Sequence, residues 1–295
     1  MKNRLKVLII GGDNRYLEVI DKLAANEIRV FLAGFEQLSF ENSFISHREI
    51  IEVDFSKIDA ILLPVAGTDS EGNIETTYTD KQLKLPKQRL HETPEHCVIY
   101  TGIANDYLEN AAKTANRKLI RLFTRDDIAI YNSIPTAEAT LKLAIEETDV
   151  TIHGSNIIII GFGRIGITLA RVFAALGANV TVAARKSAHF ARINEMGINS
   201  IATEKIDKVI SGMDICINTV PHLIIDTNII DNMEASSLII DLASKPGGTD
   251  FDYAEKKGVK TIHALGLPGK TAPRTAGEII GGVLLELLED SMQRT

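Results

Sequence analysis

The sequence predicts an α/β protein of two parallel-sheet domains, and three observations predict it. Short apolar runs of strand length alternate with helical patterns along the chain, which is how a parallel sheet wrapped by helices is written. The length of 295 residues is enough for about two domains with a core each. Just past the middle, Ile157-Ile158-Ile159-Ile160 runs into Gly161-Phe162-Gly163-Arg164-Ile165-Gly166, a glycine fingerprint opening a helix.

The elements follow in order. Leu5 to Ile10 reads as a buried strand, and Gly11-Gly12-Asp13-Asn14-Arg15 as a glycine turn opening a helix with Leu17, Ile20, Leu23 and Ala24 on one face. Ile28 to Leu32 is a second strand; Ala60 to Leu63 and Val98 to Tyr100 follow, then a helix from Leu108 to Ala115 and a strand from Leu119 to Leu122. Residues 66–96 hold no long apolar run, and Gly67 to Asn73 is read as a turn-rich loop. In Tyr131-Asn132-Ser133-Ile134-Pro135-Thr136-Ala137-Glu138 the preceding segment is expected to end at Ser133 or Ile134, with Pro135 in the first turn of a new helix running to about Thr148.

The second half begins at the fingerprint. Gly161 makes the tight turn, Gly163 lets a pyrophosphate approach the backbone, and Gly166 lets the helix close on the strand. Arg164 and Ile165 open that helix, whose N-terminal N–H groups and dipole favour an anion. The next strand, Asn179 to Ala183, ends in Ala184-Arg185-Lys186-Ser187. An NAD site would place an acid there to hold the ribose hydroxyls, yet no acidic residue occurs from Val172 through Asn194. Arg185, Lys186 and Ser187 suit a 2′-phosphate instead, so NADP is the expected cofactor; a solvated basic loop is the plainer alternative.

Three further strands end in loops: Asp214 to Asn218 before Thr219-Val220-Pro221-His222, Leu238 to Asp241 before Leu242-Ala243-Ser244-Lys245, and Lys260 to His263 before Gly266-Leu267-Pro268-Gly269-Lys270. These lie on the half of the sheet that a nicotinamide reaches, so Thr219, Val220, Pro221, Leu242, Ala243 and Ser244 are candidate cofactor contacts. Lys245 and Lys270 are candidate cations at the reacting end, Arg15 and Arg274 candidate clamps for a carboxylate, and His222 and Glu138 candidate bases. Arg15 has an equally plain reading as the partner of Asp13 in a local turn. A last amphipathic helix from Ala272-Pro273 to Asp290 belongs to no further strand and is expected to return to the first domain. The expected domains are therefore 1–134 with 275–295, and 135–274.

Composition excludes other classes. The net charge of −7 and the absence of tryptophan speak against a nucleic-acid partner, and no apolar run approaches a membrane span or a signal sequence. Cys97 and Cys216 sit far apart in apolar stretches, as reduced core residues of a cytoplasmic protein would. His91-Glu92-Thr93-Pro94-Glu95-His96 is a poor metal motif, since its histidines are five apart and Pro94 breaks the helix that would align them; no metal is expected.

Together, Gly11-Gly12-Asp13-Asn14-Arg15, Asn132 to Glu138, Gly161 to Gly166, Ala184-Arg185-Lys186 and Leu267-Pro268-Gly269-Lys270-Thr271-Ala272-Pro273 resemble the A subunits of dipicolinate synthase. The two-domain plan is more distantly similar to D-2-hydroxyacid and alanine dehydrogenases. The resemblance implies two Rossmann-like or flavodoxin-like domains linked by two crossing helices. It also implies oxidation of a cyclic dihydropyridine dicarboxylate to dipicolinate in the mother cell of a spore-former, in partnership with a flavoprotein-like B subunit. A homo-oligomer is expected. Alternatives from other classes are a nucleotide-binding regulatory subunit without its own chemistry, and another NADP-dependent reductase on the same fold. Lys245 stands near where a hydroxyacid dehydrogenase would carry arginine, which counts against simple hydroxyacid oxidation.

Overall fold

A computed structural model of the chain describes residues 5–293. The chain divides into two compact units: one runs to Ala129 and resumes at Ala272, and the other is Ile130–Thr271.

The first unit opens with β1 (Lys6–Ile10), α1 (Arg15–Ala25), β2 (Arg29–Ala33), β3 (Ile45–His47), β4 (Ala60–Leu62), β5 (Asn73–Ile74), β6 (Leu83–Lys84), β7 (Val98–Thr101), α2 (Asp106–Thr114) and β8 (Lys118–Arg121). Its main sheet has the order β3-β2-β1-β4-β7-β8, and every pairing is parallel. Both faces are covered, as the sequence of β1 requires: Val7 and Ile9 enter one apolar cluster, Leu8 and Ile10 the other. Successive side chains of a strand point to opposite faces, so an uninterrupted apolar run is stable only when both faces are buried.

The helix α3 (Asp126–Glu147) crosses from one unit to the other. Here the structure corrects the expectation of a break at Ser133 or Ile134, because Pro135 lies inside one continuous helix. Proline removes the N–H that the Tyr131 carbonyl would accept from. Hydroxyls from the neighbouring turns add bonds along the helix: Ser133 donates to the Ile130 carbonyl at 2.6 Å and Thr136 to that of Asn132 at 2.7 Å. Asp126 and Asp127 begin the helix on the acidic side that its dipole favours.

The second unit continues with β9 (Asn156–Ile160), α4 (Arg164–Ala175), β10 (Asn179–Ala184), α5 (Ser187–Glu195), β11 (Asn199–Ala202), β12 (Ile215–Asn218), α6 (Thr227–Asp231), β13 (Leu238–Asp241), α7 (Phe251–Lys257), β14 (Lys260–His263) and α8 (Leu267–Thr271). Its sheet order is β11-β10-β9-β12-β13-β14, again parallel throughout. The order reverses between β10 and β12 on either side of β9, which is where such sheets bind ligands. Ile157 and Ile159 pack on one side and Ile158 and Ile160 on the other. At about 1.5–3 kcal/mol for each fully buried isoleucine, β9 is the anchor of this unit.

The last helix, α9 (Pro273–Gln293), belongs to the first unit. Its Ile280, Val283, Leu284 and Leu288 join Val19, Ile20 and Leu23 of α1 in one cluster.

Other expectations are corrected in detail. Two short strands, β3 and β11, lie outside the expected set; both are half-buried edge strands whose side chains are too mixed to read as an apolar run. Gly67 to Gly72 is turn and loop as expected, and the rest of 66–96, left unassigned by the sequence, carries the antiparallel pair β5–β6 and a 3₁₀ turn at Lys87–Glu92. Leu122, expected at the end of a strand, instead starts a 3₁₀ turn. The Leu267–Lys270 loop is the one-turn helix α8.

Among the described residues no helix is long and apolar enough to cross a membrane.

Candidate functional site

The site is built at the carboxyl edge of the second sheet. Register aligns Ala183, Ile160, Asn218, Asp241 and His263 in one row across five strands. The loops that follow these residues therefore leave the sheet side by side.

At the centre, the three fingerprint glycines have three different surroundings. Gly161 has φ of +101°, and a Cβ there would lie 2.4 Å from Thr219 Oγ1, so both its conformation and its space exclude a side chain. A Cβ on Gly166 would lie 2.1 Å from the Gly161 carbonyl oxygen, which is the close helix-to-turn contact the third glycine is needed for. Around Gly163 nothing lies within 4 Å of such a Cβ. That glycine faces open space, the room a pyrophosphate would take. The helix behind it, α4, starts with no side-chain cap and no acid in its first turn, so no carboxylate of its own competes for an anion at that end. Arg164 and Ile165 open α4, and Thr168 one turn on meets Ser133 of α3 through a 2.6 Å hydroxyl contact. The Asn132–Glu138 segment thus buttresses the helix that carries the fingerprint.

One strand away, β10 ends at Ala184, and Arg185, Lys186 and Ser187 follow, all exposed. Neither Arg185 nor Lys186 has an ion-pair partner among the described residues. Two uncommitted cations and a hydroxyl beside the switch point can receive a phosphate monoester. On the other side of β9, Thr219 donates to the Ile160 carbonyl at 2.9 Å, holding Thr219, Val220 and Pro221 against the glycine turn. Leu242, Ala243 and Ser244 leave β13 next in line. Open space at Gly163, uncapped helix N–H groups and flanking cations fit a dinucleotide carrying an extra phosphate.

The candidate reacting residues are less tightly gathered. His222 and Lys245 are exposed on the loops after β12 and β13, and Lys270 is exposed at the end of α8. Glu138 is exposed on α3. Among the described residues these four share no hydrogen bond or ion pair. Arg15 belongs to the first unit and is committed to Asp13: its Nε lies 2.9 Å from Oδ1, and its Nη2 reaches Oδ2 at 2.5 Å. This leaves Nη1 for any ligand. Arg274 is engaged by Glu18 and Glu278.

Sequence reasoning missed the residues that support this edge. Asn218 and Asp241 are both fully buried, and Asn218 donates to Asp241 at 3.0 Å. His263 bonds the Ala243 carbonyl at 2.9 Å and stacks on Phe251. The available signal was a polar residue ending three successive apolar strands, Asn218, Asp241 and His263. Among the described residues no group of three or more His, Cys, Asp or Glu could hold a metal ion; His96 of the poor motif pairs with Asp59 at 2.8 Å.

Two family models match the chain, the second running on past Thr271 into α9. A family model described as the N-terminal domain of the dipicolinate synthase A subunit matches residues 6–123, and one described as alanine dehydrogenase/PNT, C-terminal domain matches residues 138–294. The chain is 51% identical over 290 residues to the dipicolinate synthase A subunit of Bacillus subtilis (strain 168), covering 98% of each. The crystal structure of the dipicolinate synthase A chain from Bacillus subtilis superposes with a TM-score of 0.95 at 50% identity, covering 99% of this chain and 98% of that one. The crystal structure of the corresponding protein from Bacillus halodurans gives a TM-score of 0.94 at 48% identity, covering 96% and 97%.

Proposed function

Since the chain belongs to the family of dipicolinate synthase A subunits, we propose that it is the NADP-dependent oxidoreductase component that oxidises dihydrodipicolinate to dipicolinate. In this reading it works as an oligomer in the mother-cell cytoplasm during spore formation, with a flavoprotein-like B subunit. Aromatisation removes one hydride and one proton from the ring. When bound, the nicotinamide supplies the hydride acceptor.

The chain's own residues supply the rest. Gly161 to Gly166 take the pyrophosphate, and Arg185, Lys186 and Ser187 the 2′-phosphate. Thr219 to Pro221 and Leu242 to Ser244 line the nicotinamide end. Lys245 and Lys270 hold substrate carboxylate, where a fixed cation also orients the ring for hydride transfer. Arg15, through the Nη1 that Asp13 does not use, is a further candidate for carboxylate. His222 or Glu138, each exposed, is the candidate to take the proton as general base.

The observation that carries this reading is the Arg185-Lys186 pair, without an ion-pair partner among the described residues, where an NAD site would hold an acid, beside an open glycine turn. The test assays this protein, its B partner and the mixture of the two on enzymatically generated dihydrodipicolinate, following NADPH absorbance. NADPH formation by this protein alone, or by the mixture, is expected. Nucleotide binding by this protein with catalysis confined to the B partner would instead make it a regulatory component. Turnover of 2-hydroxy acids in preference to the cyclic dicarboxylate would make it a different reductase.

A further inference from the structure

The carboxyl ends of β12 and β13 carry a buried polar pair that the proposed chemistry does not use directly. Asp241 is fully buried, and a buried charge persists only where its hydrogen-bonding capacity is met. Its Oδ1 accepts from Asn218 Nδ2 at 3.0 Å and Ala243 N at 2.9 Å; its Oδ2 accepts from Gly248 N at 2.8 Å and Thr249 Oγ1 at 2.7 Å. Each oxygen accepts twice and neither donates, the pattern of an ionised carboxylate.

The placement of the donors gives this carboxylate a mechanical role. Ala243 and Gly248 stand at the two ends of the loop after β13, so the carboxylate closes that loop like a staple. Asn218 extends the hold to the neighbouring loop: its Oδ1 accepts from Val220 N and its Nδ2 donates to the Val220 carbonyl, both at 3.0 Å. Gly248 allows no looseness, since a Cβ there would lie 2.4 Å from Asn218 Nδ2 and 2.5 Å from the Val220 carbonyl oxygen. Between the two anchored ends, Ser244, Lys245 and Pro246 are exposed. Both ends of the arch are tied down, Gly247 N closes its turn on the Ser244 carbonyl at 2.9 Å, and the exposed tip carries Lys245.

We propose that Asp241 is a positioning residue for the dehydrogenase reaction, holding the Ala243–Gly248 arch so that Lys245 is presented at a fixed point on the nicotinamide side of the sheet edge. This rests on the functional reading given above. A purely structural role would weaken the whole unit; a positioning role acts on turnover and leaves the adenine end of the nucleotide site alone, because Arg185 and Lys186 lie on the far side of β9.

The test uses the full-length protein with its B partner. Thr249→Val removes one of the four donors at nearly constant volume, Thr249→Ser keeps the hydroxyl, and Asp241→Asn turns an acceptor into a donor. Thr249→Val is expected to lower kcat roughly tenfold and Asp241→Asn roughly a hundredfold, the scale of a misplaced reacting group, with Thr249→Ser near wild type. Affinity for 2′,5′-ADP, which reports the adenine end alone, should stay within about twofold. Hydrogen exchange on the free chain should quicken at 243–248 and not at 161–166. Unchanged exchange at 243–248 in both weakened variants overturns the staple. Faster exchange with unaltered kcat, or a parallel loss of 2′,5′-ADP affinity, overturns the positioning role alone. A wild-type mixture that does not oxidise dihydrodipicolinate with NADP overturns the functional reading, and the positioning role with it.

Discussion

At the scale of single residues, the three fingerprint glycines are separable because each is required for a different reason. Gly163 has an ordinary extended backbone and open space around it. Gly163→Ala is therefore expected to leave stability within about 0.5 kcal/mol while abolishing NADPH binding, since the methyl takes the room of the pyrophosphate. Gly166→Ala meets the Gly161 carbonyl at 2.1 Å and should lose both. Thermal melts and nucleotide titrations on the two variants check this, and a Gly163→Ala protein that still binds NADPH would remove the pyrophosphate from this turn. Cofactor choice is a residue property too. NADPH should bind more tightly than NADH, and Arg185→Ala should cost roughly 1.5–3 kcal/mol against NADPH, the range for a hydrogen bond to a charged group, with little effect on NADH. Equal affinities in the unmutated chain would refute the reading of Arg185. Fingerprint and basic loop were legible because each is a local stretch whose residue types state their own chemistry. Asp241 was not legible, because strand register brings in Asn218 and only the fold-back of the following loop brings in Gly248 and Thr249.

At the scale of elements, the packing of α9 on α1 turns on a glycine that sequence patterning does not single out. A Cβ at Gly277 would sit 2.1 Å from the Arg15 carbonyl oxygen, whereas one at Gly282 would meet only the flexible end of Lys22, at 3.5 Å. Alanine gains about 1 kcal/mol over glycine in a helix interior, but overpacking against a backbone group costs about 1–3 kcal/mol and can cost more. The clash should win at one position and the propensity at the other. Gly277→Ala is expected to destabilise and Gly282→Ala to stabilise in urea titrations; equal signs would show that the two helices move apart at little cost. Element boundaries divide along the same line between local and non-local causes. The strands β1, β4, β9, β12 and β13 were readable because burial on both faces demands unbroken apolar runs. The continuity of α3 through Pro135 was not, since proline's local preference for a first turn is overridden by helix on both sides. The edge strands β3 and β11 are too short and too mixed to announce themselves.

At the scale of the whole chain, two sheets share one strand order, yet only one has a free glycine turn. In the first unit Gly12 N bonds the Glu75 carbonyl at 3.1 Å, and Thr77 N bonds the Gly12 carbonyl at 3.0 Å. Tyr78 stacks on Phe35 and donates to Asn14. The segment preceding β6 thus fills the position a phosphate would need, and calorimetric titration should find one dinucleotide per chain; a second site of similar affinity would show that this segment yields. The two cysteines carry a different implication. Burial pushes the Cys97 thiol up to about 11 and raises Cys216 further, with the nearby Asp241 carboxylate adding to the burial. A raised pKa means less thiolate, the reactive form, so at pH 8 the native chain should resist thiol reagents and release two thiols only when unfolded. The chain also has no tryptophan. Its near-ultraviolet signal therefore rests on six tyrosines, and a cysteine placed at exposed Ile51 or Leu223 could carry a visible dye without removing either native thiol.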